Sequence, residues 1–195
     1  MNKTEAIEKV KALLTVKRFE HTLRVAETAV KLADRYNASK TKAELAAILH
    51  DYAKYRSLDE MERWIRNSTL PKDLLDYHHE LWHGPVGAIL IEREYGITDK
   101  EIQSAVHYHT TGKAGMSKLD KIVFLADYIE PGRSFPRVDE VRRMAKQDLT
   151  RACWMASKNT ITYLMSKNAT VYPDSFHAYN DLTRQITGGS SLYEQ

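Results

Sequence analysis

Cysteine is almost absent from this chain: Cys153 is the only one among 195 residues. That excludes an intramolecular disulfide and any zinc site built on thiolates. Strand-like alternation is missing too, since no stretch alternates convincingly with period two. No internal repeat, low-complexity linker or heptad run divides the chain. No apolar run approaches the ~20 residues needed to span a bilayer, and Met1-Asn2-Lys3-Thr4-Glu5 lacks the apolar core of a signal peptide. The sequence reads as that of a soluble, cytoplasmic protein with no membrane partner. Neither sign of charge dominates: 29 Lys plus Arg face 26 Asp plus Glu, a formal net charge of +3. That excess is too small and scattered to argue nucleic-acid binding, though it is compatible with a small polyanionic substrate.

What is present is helical periodicity and 43% hydrophobic content, enough for one core and too little chain for two comfortable domains. The spacing predicts helices over Thr4 to Leu14 and Lys17 to Tyr36. In the second, Phe19, Leu23, Ala26, Val30 and Ala33 form one stripe, while His21, Val25, Thr28 and Leu32 form another. So broad an apolar surface implies contact on several sides. A third helix, capped by Ser39 or Thr41, carries His50 and Asp51. Ser57-Leu58-Asp59-Glu60 and Thr98-Asp99-Lys100-Glu101 read as capping boxes. They open helices over Leu58 to Asn67 and up to His107 to His109. Pro71 to Tyr77 reads as a further helix, and Gly84-Pro85 starts one just after His83 that Gly96 ends. Ser117 starts the next, to about Glu130, where Pro131-Gly132 stops it. Two more are expected over Val138 to Lys167 and Ser175 to Ile186, before a frayed tail at 188–195. The expectation is a single all-α domain over 1–195.

His21, His50, Asp51, His83, His109 and Asp127 lie on or at the ends of five of these helices, as a bundle places ligands for a metal in its core. Neutral imidazole and carboxylate suit a first-row divalent ion, and the lack of thiolates argues against a purely structural zinc. Six ligands exceed what one catalytic ion needs if it keeps water positions open. Two ions sharing a carboxylate use them more economically. Taken singly, each has a plainer role. His21 reads as a satisfied core histidine, His83 precedes a helix start and His109 ends a helix. Asp127 is harder to dismiss, because a carboxylate interrupting Ile122-Val123-Phe124-Leu125-Ala126 needs a strong partner. His78, His79 and His107 are compatible with surface positions. The ordered set, rather than any member, carries the weight.

The order His21, His50-Asp51, Asp127 resembles the HD-domain metal-dependent phosphohydrolases. The strings Arg18-Phe19-Glu20-His21-Thr22-Leu23-Arg24, His50-Asp51-Tyr52-Ala53-Lys54 and Leu81-Trp82-His83-Gly84-Pro85 are more specific. With His109-Thr110-Thr111-Gly112 and Ala126-Asp127-Tyr128-Ile129-Glu130-Pro131-Gly132-Arg133, they are similar to the YqeK family of symmetrical bis(5′-nucleosyl)-tetraphosphatases. The resemblance is close over about 16–137 and looser beyond. It implies an HD-type helical bundle with a core over 16–137 and C-terminal helices over 138–187 packed on it. It further implies hydrolysis of diadenosine tetraphosphate to two ADP by attack of a metal hydroxide on an inner phosphorus. The implied cofactor is two divalent ions, iron first, with manganese, cobalt, nickel or zinc also suitable. His21, His50, Asp51 and Asp127 would hold one ion, and Asp51 would bridge to a second completed by His83 and His109.

Lys54, Arg24 and Arg133 are candidates to neutralise phosphate charge, with Lys54 three residues beyond Asp51. A solvated surface cation is the default role of any such residue. Thr110, Thr111 and Gly112 offer hydroxyls and backbone N–H groups to phosphate oxygens, and equally suit a helix-ending loop. Tyr128, Phe135 and Trp82 offer stacking faces, though aromatics in a helical protein more often fill the core. Two other functions remain open: an HD nucleotidase acting on another nucleotide or an alarmone, and a non-catalytic dinucleotide sensor. Assembly as a homodimer is compatible with the sequence and is not indicated by it.

Overall fold

Side-chain caps set where the helices begin. In the computed structural model, which describes residues 1–189, Asn2 and Ser117 close reciprocal capping boxes with Glu5 and Asp120. Thr15, Ser39, Ser57, Asp99 and Asp148 each accept from a backbone N–H in a first turn. The resulting helices are α1 (Lys3–Leu13), α2 (Val16–Arg35), α3 (Lys40–Leu49), α4 (Leu58–Asn67) and α5 (His83–Tyr95). They continue as α6 (Lys100–His107), α7 (Lys118–Ile129), α8 (Val138–Met144), α9 (Leu149–Ser166) and α10 (Pro173–Thr187). No strand occurs among the described residues. No helix there is long and apolar enough to cross a membrane.

Four expectations are corrected. Lys72–Asp76 winds as a 3₁₀ turn rather than an α-helix. The helix expected to start after His83 includes it, because a preceding 3₁₀ turn, His79–Leu81, already delivers the chain in helical geometry. Asp99, not Thr98, caps α6, accepting from the N–H groups of Glu101 and Ile102. The segment expected to be helical from Val138 to Lys167 is two helices, since Asp148 leaves helical geometry to cap α9. Of the expected tail at 188–195, only Gly188 and Gly189 fall within the described residues.

The helix α3 is central. It packs against α1, α2, α6 and α7, with Ala43, Ala46, Ala47, Ile48 and Leu49 all buried. Three small alanines let neighbouring helices approach closely, while Ile48 and Leu49 fill the space between them. Truncating either to Ala would cost about 2–5 kcal/mol. The helix α7 lies against α2, α6, α8 and α9, and α10 closes over α9. Together α2, α3, α5, α6 and α7 bring the predicted ligands to one buried point.

Gly84 makes one of these approaches possible. A Cβ on it would lie 2.6 Å from the His107 carbonyl oxygen and 3.4 Å from His109 Cε1. Only glycine lets α5 sit this close to the end of α6.

Candidate metal centre

The C-terminal end of α3 puts His50 and Asp51 in the core, both fully buried. Asp51 divides its two oxygens. Oδ2 lies 3.0 Å from His50 Nε2 and 3.9 Å from His21 Nε2, while Oδ1 lies 3.2 Å from His83 Nε2. On the first side, His21 Nε2 is 3.0 Å and His50 Nε2 is 3.9 Å from Asp127 Oδ1. On the second, His83 Nε2 and His109 Nε2 are 3.0 Å apart. One ligand atom from each of His21, His50 and Asp127 lies within 4.8 Å of the others, and the same holds for His50, Asp51 and His109. All six predicted ligands therefore meet at one point. His107, compatible by sequence with a surface position, is half-buried and stacked on Tyr108.

The protons of the imidazoles reveal what the cluster wants. Nδ1 of His50 donates to the Ala47 carbonyl at 2.6 Å, and Nδ1 of His109 to that of Val106 at 2.7 Å. Nδ1 of His21 faces Glu130 Oε1 at 3.1 Å. A carbonyl or carboxylate oxygen only accepts, so each of these rings carries its proton on Nδ1 and turns an Nε2 lone pair to the centre. Nε2 of His21, Nε2 of His50 and Oδ1 of Asp51 are buried without a hydrogen-bond partner. Converging lone pairs and carboxylates repel one another unless a cation lies among them. The donor set fits divalent ions of the borderline class, with imidazole nitrogen and carboxylate oxygen only.

The carboxylates and imidazoles of the cluster also act on one another's protons. Burial alone would raise the Asp51 carboxyl, yet His50 and His83 hold it well below the usual carboxylate range. Burial likewise opposes ionisation of Asp127, and His21, His50 and Arg133 overcome it. Burial would lower His50, but Asp51 and Asp127 pull it upward. His109 is driven well below its ordinary value by burial and by His83 and His50, which keeps its ring neutral.

Around the ligands the cations are already committed. Arg133 Nη2 holds Asp127 Oδ1 at 2.6 Å, and its Nε donates to the Asp127 carbonyl at 3.0 Å. Arg24 Nε holds Glu130 Oε2 at 2.6 Å, and Lys54 pairs with the exposed Glu80. The loop after α6 ends the helix, the second of its two expected roles. Gly112 N–H donates to the Tyr108 carbonyl, and the Thr111 hydroxyl to that of Gly112. Thr110 Oγ1 alone among the three lacks a partner. Trp82 is core, with its Nε1 donating to the Leu74 carbonyl at 2.9 Å. Tyr128 and Phe135 instead line a cavity of about 770 Å³ that His109 and Asp127 border.

Sequence reasoning missed two residues. Arg18 pairs with Asp51, and Glu130 fastens both His21 and Arg24. Each lies three residues from a ligand, Arg18 before His21 and Glu130 after Asp127, the same helical spacing that drew attention to Lys54 and Arg24.

The HD-domain family model matches residues 18–132, which include all six clustered side chains. The chain belongs to the HD-domain family. Within it, the chain also belongs with the symmetrical bis(5′-nucleosyl)-tetraphosphatases. It is 51% identical to the Bacillus subtilis protein of that name over 180 residues, covering 92% of this chain and 97% of that one. It is 50% identical to the Halalkalibacterium halodurans protein of the same name, covering 93% and 97%. The HD fold is also that of a Clostridium acetobutylicum crystal structure described as a predicted HD superfamily hydrolase involved in NAD metabolism. That match has a TM-score of 0.89 at 35% identity and covers 95% of this chain and 98% of the other.

Proposed function

We propose that this HD-domain hydrolase cleaves diadenosine tetraphosphate symmetrically into two molecules of ADP at a dinuclear metal centre. The observation that carries the reading is the division of Asp51, with Oδ2 toward His50 and Oδ1 toward His83. His21, His50, Asp127 and Oδ2 of Asp51 would hold one ion, and Oδ1 of Asp51 with His83 and His109 the other. The naming of the near-full-length relatives supports the substrate. Such ions supply an acidified water at neutral pH and charge neutralisation for an in-line displacement at phosphorus. Iron is proposed as the native metal, with manganese, cobalt, nickel and zinc as competitors to be tested.

The chain's own residues do the rest. Glu130 fixes the His21 ring, and the Ala47 and Val106 carbonyls fix those of His50 and His109, so these three rings need no reorganisation. Arg18 balances the charge of Asp51 from the side. Lys54, Arg24 and Arg133, through N–H groups that their carboxylate partners leave free, and the Thr110 hydroxyl would meet phosphate oxygens. ADP leaves as a stable anion, so charge neutralisation matters more than a strong general acid.

The test is ADP release from diadenosine tetraphosphate by metal-loaded protein, set against phosphate release from mononucleotides. Dominant ADP release supports the proposal. Preferential turnover of mononucleotides or guanosine alarmones would replace it with a nucleotidase, and binding without turnover would replace it with a sensor.

A further inference from the structure

The cavity bordered by His109 and Asp127 extends away from the metal centre to α9, which lies outside the segment matched by the HD-domain model. Its volume, about 770 Å³, is ample for a nucleoside. Tyr128 and Phe135 form one wall, packed edge to face with ring centroids 4.8 Å apart. Asn159 and Tyr163 of α9 form another. Tyr163 is 61% exposed, with the Lys167 ammonium 5.8 Å from its ring centre.

We propose that this cavity is the subsite for one nucleoside of the dinucleotide, with Asn159 meeting the edge of the base and Tyr163 covering its face. The inference rests on the function proposed above. The carboxamide of Asn159 lines the cavity beside Tyr128. Its N–H and carbonyl groups are an adjacent donor and acceptor that match the edge of a nucleobase. An aromatic ring at the lip offers the stacking surface every base can use. Arg137 stands between the aromatic wall and α8 and also lines the cavity. It holds φ +68°, an unfavourable backbone region for a residue with a side chain, and it makes no ion pair among the described residues. A guanidinium there suits the phosphate or ribose that follows the base.

The test compares metal-loaded wild type with Asn159→Leu and Tyr163→Ala, neither of which removes a buried residue. Each should raise KM for diadenosine tetraphosphate about tenfold, the scale of one lost stacking or hydrogen-bonding contact, with kcat within about twofold and metal content unchanged. Adenosine, which carries no phosphate, should give a ligand-observed NMR binding signal with wild type that Asn159→Leu abolishes. Unchanged KM in both variants, or equal adenosine signals from wild type and Asn159→Leu, would overturn the subsite. If wild type bound adenosine in this manner yet released no ADP from the dinucleotide, the proposed function would fail while the subsite stood.

Discussion

Glu130 Oε1 lies 3.1 Å from Nδ1 of His21, a contact between residues 109 positions apart. Burial would raise the Glu130 carboxyl, but hydrogen bonds from Arg24, His21 and the Gly132 N–H hold it below its usual value. An ionised acceptor on Nδ1 keeps the His21 proton on the outer face of the ring and makes Nε2 more basic toward a metal. Glu130→Ala should therefore lower metal affinity about 10- to 100-fold, and Glu130→Gln, which keeps an acceptor oxygen, should lower it less. Metal titration against a competing chelator reads both. Equal affinities for wild type and Glu130→Ala would remove Glu130 from this role.

Asp51 and Asp127 carry the negative charge of the cluster. Asp51→Ala or Asp127→Ala should reduce turnover to background and deplete bound metal, with far-ultraviolet circular dichroism unchanged. Asp51→Ala also leaves Arg18 without its carboxylate partner. Its metal-free form should consequently be less stable than metal-free wild type by about 1–3 kcal/mol, the scale for an orphaned partly buried group. Metal analysis and urea unfolding separate the two effects.

The six clustered side chains were legible because each sits in a short string that a helix or its end presents as a unit. His50 and Asp51 needed only the apolar turn before them to show that they are buried. Glu130 and Arg18 were not read because their importance depends on which distant residue each meets. Glu130 finds His21 across the α2 and α7 packing, and Arg18 finds Asp51 across α2 and α3. The break between α8 and α9 was missed for a different reason. Ala145-Lys146-Gln147-Asp148 contains neither glycine nor proline, and Asp148 reads as a cap only when the chain turns there. Of the two roles the sequence left open for Gly112, its N–H bond to the Tyr108 carbonyl favours the helix end.

Lys54, whose backbone N–H donates to the Asp51 carbonyl, pairs through its side chain with Glu80, which is 56% exposed at its side chain. An exposed partner is readily exchanged for a phosphate, since such a pair contributes only ~0–1 kcal/mol. Lys54→Ala should slow turnover about 10- to 100-fold with metal retained, less than the ~10²–10³ lost with an enclosed oxyanion donor. Glu80→Gln should leave the rate equal or higher. Loss of metal from Lys54→Ala would move this residue out of phosphate binding.

Gly84 is a packing requirement that the sequence disguises as a helix start. A methyl group there meets the His107 carbonyl oxygen at 2.6 Å, so Gly84→Ala must push α5 from α6. Overpacking of this kind costs about 1–3 kcal/mol. The same displacement separates His83 from His109, so the variant should also lose affinity at the second metal position. Two-step metal titration should show one step weakened and the other retained.

His107 links this region to pH. Burial, aided by the nearby Lys113, pushes its pKa down to about 4, against about 6.5 in an unfolded chain. Above pH 6.5 the ring is neutral in both states and costs nothing. As pH falls from 6.5 toward 4 the unfolded chain binds a proton that the folded one refuses, so stability declines over that window. Metal-free protein should lose up to about 3 kcal/mol from this group, less to the extent that solvent reaches the ring. In His107→Gln that component of the slope should vanish while carboxylate protonation still destabilises at lower pH. Urea unfolding at intervals from pH 7 to 4, on both proteins without metal, measures the difference. Parallel stability curves would show that the folded protein admits the proton and that His107 is better solvated than its packing against Tyr108 implies.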